Sequence, residues 1–442
     1  MLEYIFNKIL NSMTDEMIHK IMTEPYDNNL LEGLTVTQRL GIRSIIEAGI
    51  RAQSGQSITR PLGSPINHSH WDLLYLNSTQ LFQLPTMEGV PIDTSVTIGP
   101  RAKKPLHLSI PIMITGMSYG GSLSLNTKVA LAKGATMAGT STNTGESAVS
   151  DEERSAAALL IGQLNRGHFM MPDDLKQLDA IEVQLGQGAY GNATPSTKKA
   201  SEIDEHLRKT WRLEEGQDAV FSSRLKGVNS PQDVIQLLNQ LKQDYDVPIG
   251  IKIAANHHIE KELAVIIQSD VDYIVIDGAE GGTAVASSLL QDHVGLPTIY
   301  GLSRTIRYLE EQGVRDKYQV IIAGGMKDPG VFLKAIALGA DAVYIGTIAL
   351  MALAQSQVEK TLPFSPPPQL LLHTGKMIDK LDIEEGAKHL ANFLNSSIED
   401  MKLAVIGLGK TAFSQLSRND LVSVNKDLAN ALNIGYAGEP NP

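Results

Sequence analysis

Eight short apolar runs alternate with longer helical patterns from residue 110 onward, and they constrain the fold more than any other feature of the sequence. The runs end in Gly, Ser, Thr, Asn or similar residues and span 110–115, 139–142, 168–171, 180–185, 248–254, 272–277, 319–323 and 342–346. Buried strands that alternate with helices form parallel sheets, and eight repeats over roughly 240 residues match the size of a (β/α)₈ barrel. We therefore predict an α/β protein built on a TIM barrel rather than an open doubly wound sheet.

The flanking segments predict additions at both ends of the barrel. Residues 1 to about 60 carry apolar side chains at helical spacing, whereas 61–109 are rich in Pro, Gly and Asn with one strand-like stretch at 94–98. A Pro-rich loop at 363–368 precedes a helical tail. We predict an N-terminal helical and irregular extension over 1–105 that wraps the barrel, a barrel domain over 106–355 and a C-terminal helical appendage over 356–442.

Composition excludes several classes of function. The 442 residues include no cysteine, which removes disulfides, thiol nucleophiles, Cys-ligated zinc and conventional iron–sulfur clusters. The net charge of −11 argues against a broad nucleic-acid surface. The N-terminus does not resemble a signal peptide, and no apolar run is long enough to span a bilayer, so we predict a cytoplasmic protein without a membrane partner. The histidine pairs His68/His70 and His257/His258 lack supporting carboxylates, so no metal is predicted.

Two glycine turns follow the last two predicted strands. They are Gly324-Gly325 and Gly346-Thr347, about 20 residues apart. In barrels, the loops after strands seven and eight bind phosphate, because glycine lets backbone N–H groups approach the oxygens. The pair therefore predicts a cofactor that carries a phosphate, with two ligand-free structural turns as the alternative. A third glycine turn, over 278–283, follows the sixth predicted strand and is expected to border the ligand.

Lys252 is a lone cation inside an apolar strand pattern. A buried lysine is costly unless it meets an anion, so we expect a charge partner. Pairing with a structural carboxylate such as Glu182 is one possibility. The functional interpretation is that Lys252 faces the negative edge of a reduced flavin ring and stabilises its anionic form.

Several motifs in chain order carry a resemblance to a known family. They occupy 116–124, 142–146, 181–189, 277–283, 324–326 and 346–347. In these segments the chain resembles the FMN-binding synthase domain of glutamate synthases. The front motif at 99–105 and the helical tail are similar to the stand-alone, large-subunit-like branch of that family, so the resemblance covers nearly the full length.

The resemblance implies an FMN barrel in which 2-oxoglutarate and ammonia give 2-iminoglutarate, which hydride from the flavin reduces to L-glutamate. The implied cofactor-binding residues are Gly116, Met117, Ser118, Asn143, Gln184 and Lys252 at the ring, and Gly282, Gly324, Gly325, Gly346 and Thr347 at the phosphate. The implied catalytic residues are Lys252, Glu146 and Gln187, and the implied substrate residues are Ser118, Tyr190 and Arg224. Glu146 lies where ammonia would enter, with a loop-stabilising carboxylate as the alternative.

The sequence departs from the family pattern at three points. The family's cluster cysteines are absent from 352–368, so an external electron donor is expected. The family's amidotransferase domain with its N-terminal cysteine is also absent, so ammonia would come from solution or from a partner. Tyr190 stands where the family has a lysine that helps to bind the 2-oxoglutarate carboxylate, and a phenol lacks the permanent charge of a lysine. Lys198, Lys199 or Arg224 could replace that charge.

Two other functions are compatible with the same residues. One is a different flavin reaction, such as oxidation of an amino acid or a hydroxy acid. The other is a flavin-binding subunit or sensor that needs a partner for turnover, which would explain the missing cluster and the missing ammonia source.

Overall fold

The computed structural model describes residues 2–188, 195–283, 286–362 and 365–440, and the chain divides into two compact units, Met1–Thr59 and Arg60–Pro442. The first unit consists of the helices α1 (Leu2–Thr23), α2 (Leu31–Leu40) and α3 (Ile42–Ser54). The predicted helical start of the chain is thereby confirmed. The predicted domain boundaries at 105/106 and 355/356 stay predictions.

A β-hairpin closes the amino end of the barrel in the second unit. The short strands that precede the barrel are β1 (Leu74–Leu76), β2 (Val96–Ile98) and β3 (Leu106–Leu108), and β2 pairs with β3 in antiparallel fashion. Ile98, Leu106 and Leu108 share one buried cluster with side chains of the barrel interior. The Gly99 N–H donates to Gln319 Oε1 at 3.1 Å, which ties the hairpin turn to the start of a barrel strand.

Eight parallel strands form the barrel, as predicted. They are β4 (Ile112–Ile114), β5 (Thr142–Asn143), β6 (Leu160–Leu164), β7 (Ala180–Gln184), β10 (Ile249–Ala254), β11 (Tyr273–Asp277), β12 (Gln319–Ala323) and β13 (Ala342–Ile345). Their order in the sheet follows the chain, and β13 pairs with β4. The ring closes where the Ile114 N–H donates to the Ser141 carbonyl at 3.0 Å. A two-stranded antiparallel sheet of β8 (Ser196–Lys198) and β9 (Ala219–Phe221) is inserted between β7 and β10.

The sequence prediction of the third strand is wrong. The strand is Leu160–Leu164, and the predicted run 168–171 is irregular, with His168 at φ 57°. The apolar character of that run has another cause, because Phe169 stacks on Trp211 with ring centroids 4.2 Å apart. These two rings belong to a separate aromatic core beside the β8–β9 sheet.

Helices surround the strands and bury a continuous apolar layer against them. They are α4 (Leu125–Met137), α5 (Asp151–Ala156), α6 (Pro172–Leu175), α7 (Glu205–Thr210), α8 (Pro231–Asp244), α9 (Ile259–Ile266), α10 (Ser288–His293), α11 (Thr298–Glu311), α12 (Pro329–Ala337) and α13 (Thr347–Ala354). The start of α8 is encoded locally, because the Ser230 side chain accepts from the Asp233 N–H and Pro231 occupies the first helical turn.

The C-terminal region is mostly helical, as predicted. It contains α14 (Pro368–Leu371), α15 (Ile383–Gly407), β14 (Leu421–Ser423), α16 (Lys426–Leu432) and β15 (Gly435–Tyr436). The long helix α15 packs against α4, and β14 pairs with β1. Within the described ranges, no helix has the length and apolar character that crossing a membrane requires.

Candidate active site

Most of the predicted site residues that the structure describes lie at or just after the carboxyl ends of barrel strands. Gly116, Met117 and Ser118 follow β4, Asn143 ends β5 and Gln184 ends β7. In a parallel barrel the carboxyl ends of all strands meet at one face, where ligands bind. The barrel therefore positions these residues around one mouth.

Lys252 is buried at this mouth and forms an ion pair with Asp277. Its Nζ lies 2.9 Å from Asp277 Oδ2, and the two side chains are 2% and 8% exposed. Burial alone would lower the pKa of Lys252, but the charges of Asp277 and Glu182 outweigh burial and hold that pKa above its usual value. Lys252 is therefore a fixed positive charge, and its direct partner is Asp277 rather than the Glu182 considered from the sequence.

Glu182 organises a polar network beneath Lys252. Its Oε1 accepts from Gln163 Nε2 at 2.7 Å and from Asn143 Nδ2 at 3.4 Å, and its Oε2 accepts from the Tyr344 hydroxyl at 3.0 Å. Burial raises the pKa of the Glu182 carboxyl, although Lys252 and these donors pull the pKa down. The network fixes the side-chain amide of Asn143, a predicted ring-binding residue.

Replacing Glu182 by Gln is expected to change how stability depends on pH. A raised pKa in the folded state means that the stabilising effect of the proton is complete below the ordinary value of 4.5 and is lost as the pH rises through the raised pKa. Glu182→Gln keeps the shape of the side chain and removes this titration. The free energy of unfolding, measured by denaturant titration between about pH 4 and 8, should therefore fall with rising pH more steeply in the wild type than in the variant.

The exposed carboxyl of Glu88 provides the control, and Glu88→Gln should leave the pH profile unchanged. If the free energy of unfolding changed with pH in the same way for wild type and Glu182→Gln, the expectation that Glu182 resists ionisation would be contradicted.

Two buried acceptors at the mouth have no hydrogen-bond partner among the described residues. They are Gln184 Oε1 and Asp277 Oδ1. The register of β7 with β10 pairs Gln184 with Lys252, and the register of β10 with β11 pairs Ala254 with Asp277, so both acceptors flank the lysine. Buried polar atoms are normally satisfied, and an orphaned pair at a barrel mouth indicates a ligand that donates hydrogen bonds. The imide N–H and ribityl hydroxyls of FMN are such donors, so the residues present fit this cofactor.

The glycine turn after β12, which the sequence predicts to bind phosphate, has a backbone conformation that favours glycine. Gly324 and Gly325 have φ values of 104° and 68°, which other residues rarely adopt. A Cβ on Gly324 would lie 2.6 Å from Thr298 Oγ1, so the turn also lies close to the start of α11. The turn after β13 places Thr347 at the start of α13, and its Oγ1 donates to the Leu62 carbonyl at 3.3 Å.

Glu146 is held by an arginine that sequence reasoning missed. Arg166 Nε lies 2.9 Å from Glu146 Oε1 and Arg166 Nη2 lies 3.3 Å from Oε2, while Nη1 donates to the Ser222 carbonyl. The Arg166 side chain is fully buried, and that of Glu146 is 12% exposed. Arg166 follows β6, the strand that the sequence analysis placed too late, so a correct strand assignment would have brought it to the mouth.

The remaining predicted residues differ in how far the structure defines them. Gln187 Oε1 accepts from Gln184 Nε2 at 2.9 Å, so Gln187 lies at the mouth. Tyr190 lies outside the described residues. Arg224 is exposed, and Lys199 pairs with Asp218 at 2.9 Å near the surface. Lys198 is partly buried, and burial lowers its pKa.

The fold is a (β/α)₈ barrel like those of known flavin enzymes. The structure is similar to the flavin-binding domain of baker's yeast flavocytochrome b2, with a TM-score of 0.51 at 18% identity, covering 87% of this chain and 84% of that one. It is also similar to an active chimera of (S)-mandelate dehydrogenase, with a TM-score of 0.54 at 16% identity, covering 83% and 92%. At such identities the likeness concerns the fold.

The sequence comparisons show the family. The family described as "Conserved region in glutamate synthase" matches residues 70–411. The glutamate synthase large subunit-like protein of Rhizobium meliloti is 32% identical over 412 residues, covering 88% of this chain and 92% of that protein. The archaeal-type glutamate synthase [NADPH] of Thermotoga neapolitana is 35% identical over 320 residues, which are 71% of this chain and 62% of that longer protein. The chain belongs to the glutamate synthase family.

Proposed function

We propose that this protein binds FMN at the barrel mouth and catalyses the reductive amination of a 2-oxo acid, with 2-oxoglutarate and ammonia giving L-glutamate and water. The observation that carries the proposal is the buried Lys252 between two orphaned acceptors, at the mouth of a barrel from the glutamate synthase family. Bound FMN would supply the hydride that reduces the imine of the 2-oxo acid.

The residues around the mouth would divide the work of binding the cofactor. Lys252 keeps a positive charge next to the ring, which favours the electron-rich reduced state. Gln184 and Asp277 accept hydrogen bonds from the cofactor, while Asn143, fixed by Glu182, orients a further amide. The glycine turns at 324–325 and 346–347 let backbone N–H groups approach the phosphate.

The substrate side of the mouth would combine a proton-transfer group and a cation. Glu146 is a candidate for moving protons to or from the amine, because Arg166 holds its carboxylate in one orientation. Of the cations that could replace the missing family lysine, Lys198 fits best, since Lys199 is already paired and Arg224 is exposed. A partly buried cation binds a carboxylate more strongly than an exposed one.

Electrons and ammonia would come from outside this chain. Because the chain contains no cysteine, it has no thiolates to hold an iron–sulfur cluster, and an external donor would reduce the flavin. Ammonia would be taken from solution or from a partner protein.

A stopped-flow screen of the reduced, FMN-loaded protein tests the proposal. The protein is reduced chemically without oxygen and mixed with a panel of 2-oxo acids, each with and without ammonium. We expect rapid return of the oxidised flavin absorbance only when a 2-oxo acid and ammonium are both present, with the amino acid as product.

Other outcomes of this screen separate the alternatives. Failure to bind FMN would reject the flavin enzyme altogether. A flavin that no 2-oxo acid reoxidises in the presence of ammonium would reject amination and favour a binding subunit or sensor. In a companion assay that mixes the oxidised protein with amino acids and hydroxy acids, reduction of the flavin without any amination in the screen would favour the oxidising alternative.

A further inference from the structure

Residues 60–70, which we call the strap, run across the loops that the sequence assigns to the phosphate. The Leu62 carbonyl accepts from Thr347 Oγ1 at 3.3 Å in the turn after β13. The backbones of Gly63 and Gly282 are in contact, because a Cβ on Gly282 would lie 2.7 Å from Gly63 Cα. The strap therefore touches the loops after both the sixth and the eighth barrel strands.

The first half of the strap is anchored to α10. Ser64 Oγ donates to Asp292 Oδ1 at 2.6 Å, and Arg60 forms an ion pair with the same carboxylate. Gln291 Nε2 donates to the Arg60 carbonyl at 2.8 Å. The Arg60 and Asp292 side chains are 15% and 16% exposed, so the anchor is mostly shielded from water.

The second half of the strap is anchored through Glu280. Ser69 Oγ donates to Glu280 Oε1, and the other carboxylate oxygen accepts from the Thr298 N–H at 2.9 Å. The Glu280 side chain in turn covers the phosphate turn, because a Cβ on Gly325 would lie 3.0 Å from Glu280 Cβ. Through this carboxylate the strap is linked to the loops after the sixth and seventh strands.

One observation indicates that the strap serves a ligand. Within the strap, the Nε2 atom of His68 is buried without a hydrogen-bond partner among the described residues. Buried polar atoms rarely lack a partner unless a ligand or water supplies one.

We propose that the strap is the outer wall of the phosphate site and holds FMN in place by closing the loops around the phosphate end. This inference rests on the proposed function. Release of the cofactor then requires the strap to detach from Glu280, Asp292 and Thr347, so the strap lowers the dissociation rate of FMN. The ring environment is set by Lys252 and Gln184 instead, so the strap leaves the flavin spectrum unchanged.

The substitution Gly63→Ala tests this wall. Gly63 has a φ of 96°, and an added Cβ would lie 3.2 Å from Gly282 Cα, so alanine pushes the strap away from the phosphate loop. Gly89→Ala is the matched control, because Gly89 also has a positive φ, of 81°, but has open space at the Cβ position. We expect FMN to dissociate about tenfold faster from Gly63→Ala than from the wild type and from Gly89→Ala, with unchanged visible spectra.

The double variant Ser64→Ala/Asp292→Asn provides an independent test that leaves the backbone unstrained, and it should also release FMN faster. Hydrogen exchange of the strap amides in the wild type should slow when FMN is added. If wild-type protein binds no FMN, the proposed function fails. If the wild type binds FMN but both variants release it at the wild-type rate, although strap amides exchange faster in them, the proposed function stands and the strap proposal is overturned.

Discussion

Replacing Lys252 by Met is expected to slow the reduction of bound FMN by an electron donor about 100-fold, because the fixed charge that stabilises the electron-rich reduced ring is lost from a water-poor site. The reduction potential of bound FMN should fall by about 60 mV, since the cation no longer stabilises the electron-rich ring. Single-turnover kinetics and a potential measured against a reference dye check both effects. Methionine retains the length of the side chain, so packing changes little.

The double variant Lys252→Met/Asp277→Asn separates the effect of the lost lysine charge on the flavin potential from its effect on the stability of the fold. Lys252→Met alone leaves Asp277 buried without its cation, which destabilises the fold, whereas the double variant removes both charges. We therefore expect the double variant to regain most of the lost free energy of unfolding while its potential stays low. A Lys252→Met protein with wild-type potential and wild-type kinetics would remove this lysine from the site.

Replacing Lys128 by Met is expected to lower the free energy of unfolding by about 3–5 kcal/mol, the usual cost of breaking a buried ion pair on one side. Lys128 Nζ lies 3.0 Å from Glu153 Oε1 between α4 and α5, and the side chains are 0% and 1% exposed. Burial already raises the pKa of Glu153, so without Lys128 this carboxyl would take up a proton. Denaturant unfolding at neutral pH measures the loss.

The Lys128→Met/Glu153→Leu variant is the matched control for this pair. It replaces both charges by apolar side chains, and most of the stability should return. Lys128 Nζ also donates to the Asn143 carbonyl at 2.6 Å, and both variants lose this hydrogen bond to a predicted ring-binding residue. Both variants should therefore bind FMN more weakly than the wild type, even where stability is restored. Equal stability of the single and double variants would contradict the assignment of the loss to an uncompensated Glu153.

The barrel could be predicted from the sequence because each strand buries both faces, and the resulting apolar runs are visible without long-range information. The third strand could not be located from the sequence because Gly162 and Gln163 interrupt its apolar pattern. Gly162 is packed closely by Leu178, and Gln163 is needed to bind Glu182. The neighbouring apolar run at 168–171 was more conspicuous but serves the aromatic core around Trp211.

The partner of Lys252 could not be predicted because it depends on strand register and side-chain length. Glu182 lies opposite Gly250 and Asp277 lies opposite Ala254, so Lys252 stands between the two carboxylates on the same side of the sheet. The lysine side chain reaches toward the carboxyl end and meets Asp277. Sequence alone shows that a carboxylate is needed, and only the register decides which one is in direct contact.

The hairpin of β2 and β3 closes the amino end of the barrel, so ligands enter and leave the interior at the carboxyl end. In the proposed reaction, the electron donor and the 2-oxo acid substrate would both have to enter through the same opening at the carboxyl end. They would approach the cofactor in turn, so each catalytic cycle would consist of two half-reactions, one that reduces the flavin and one that reoxidises it.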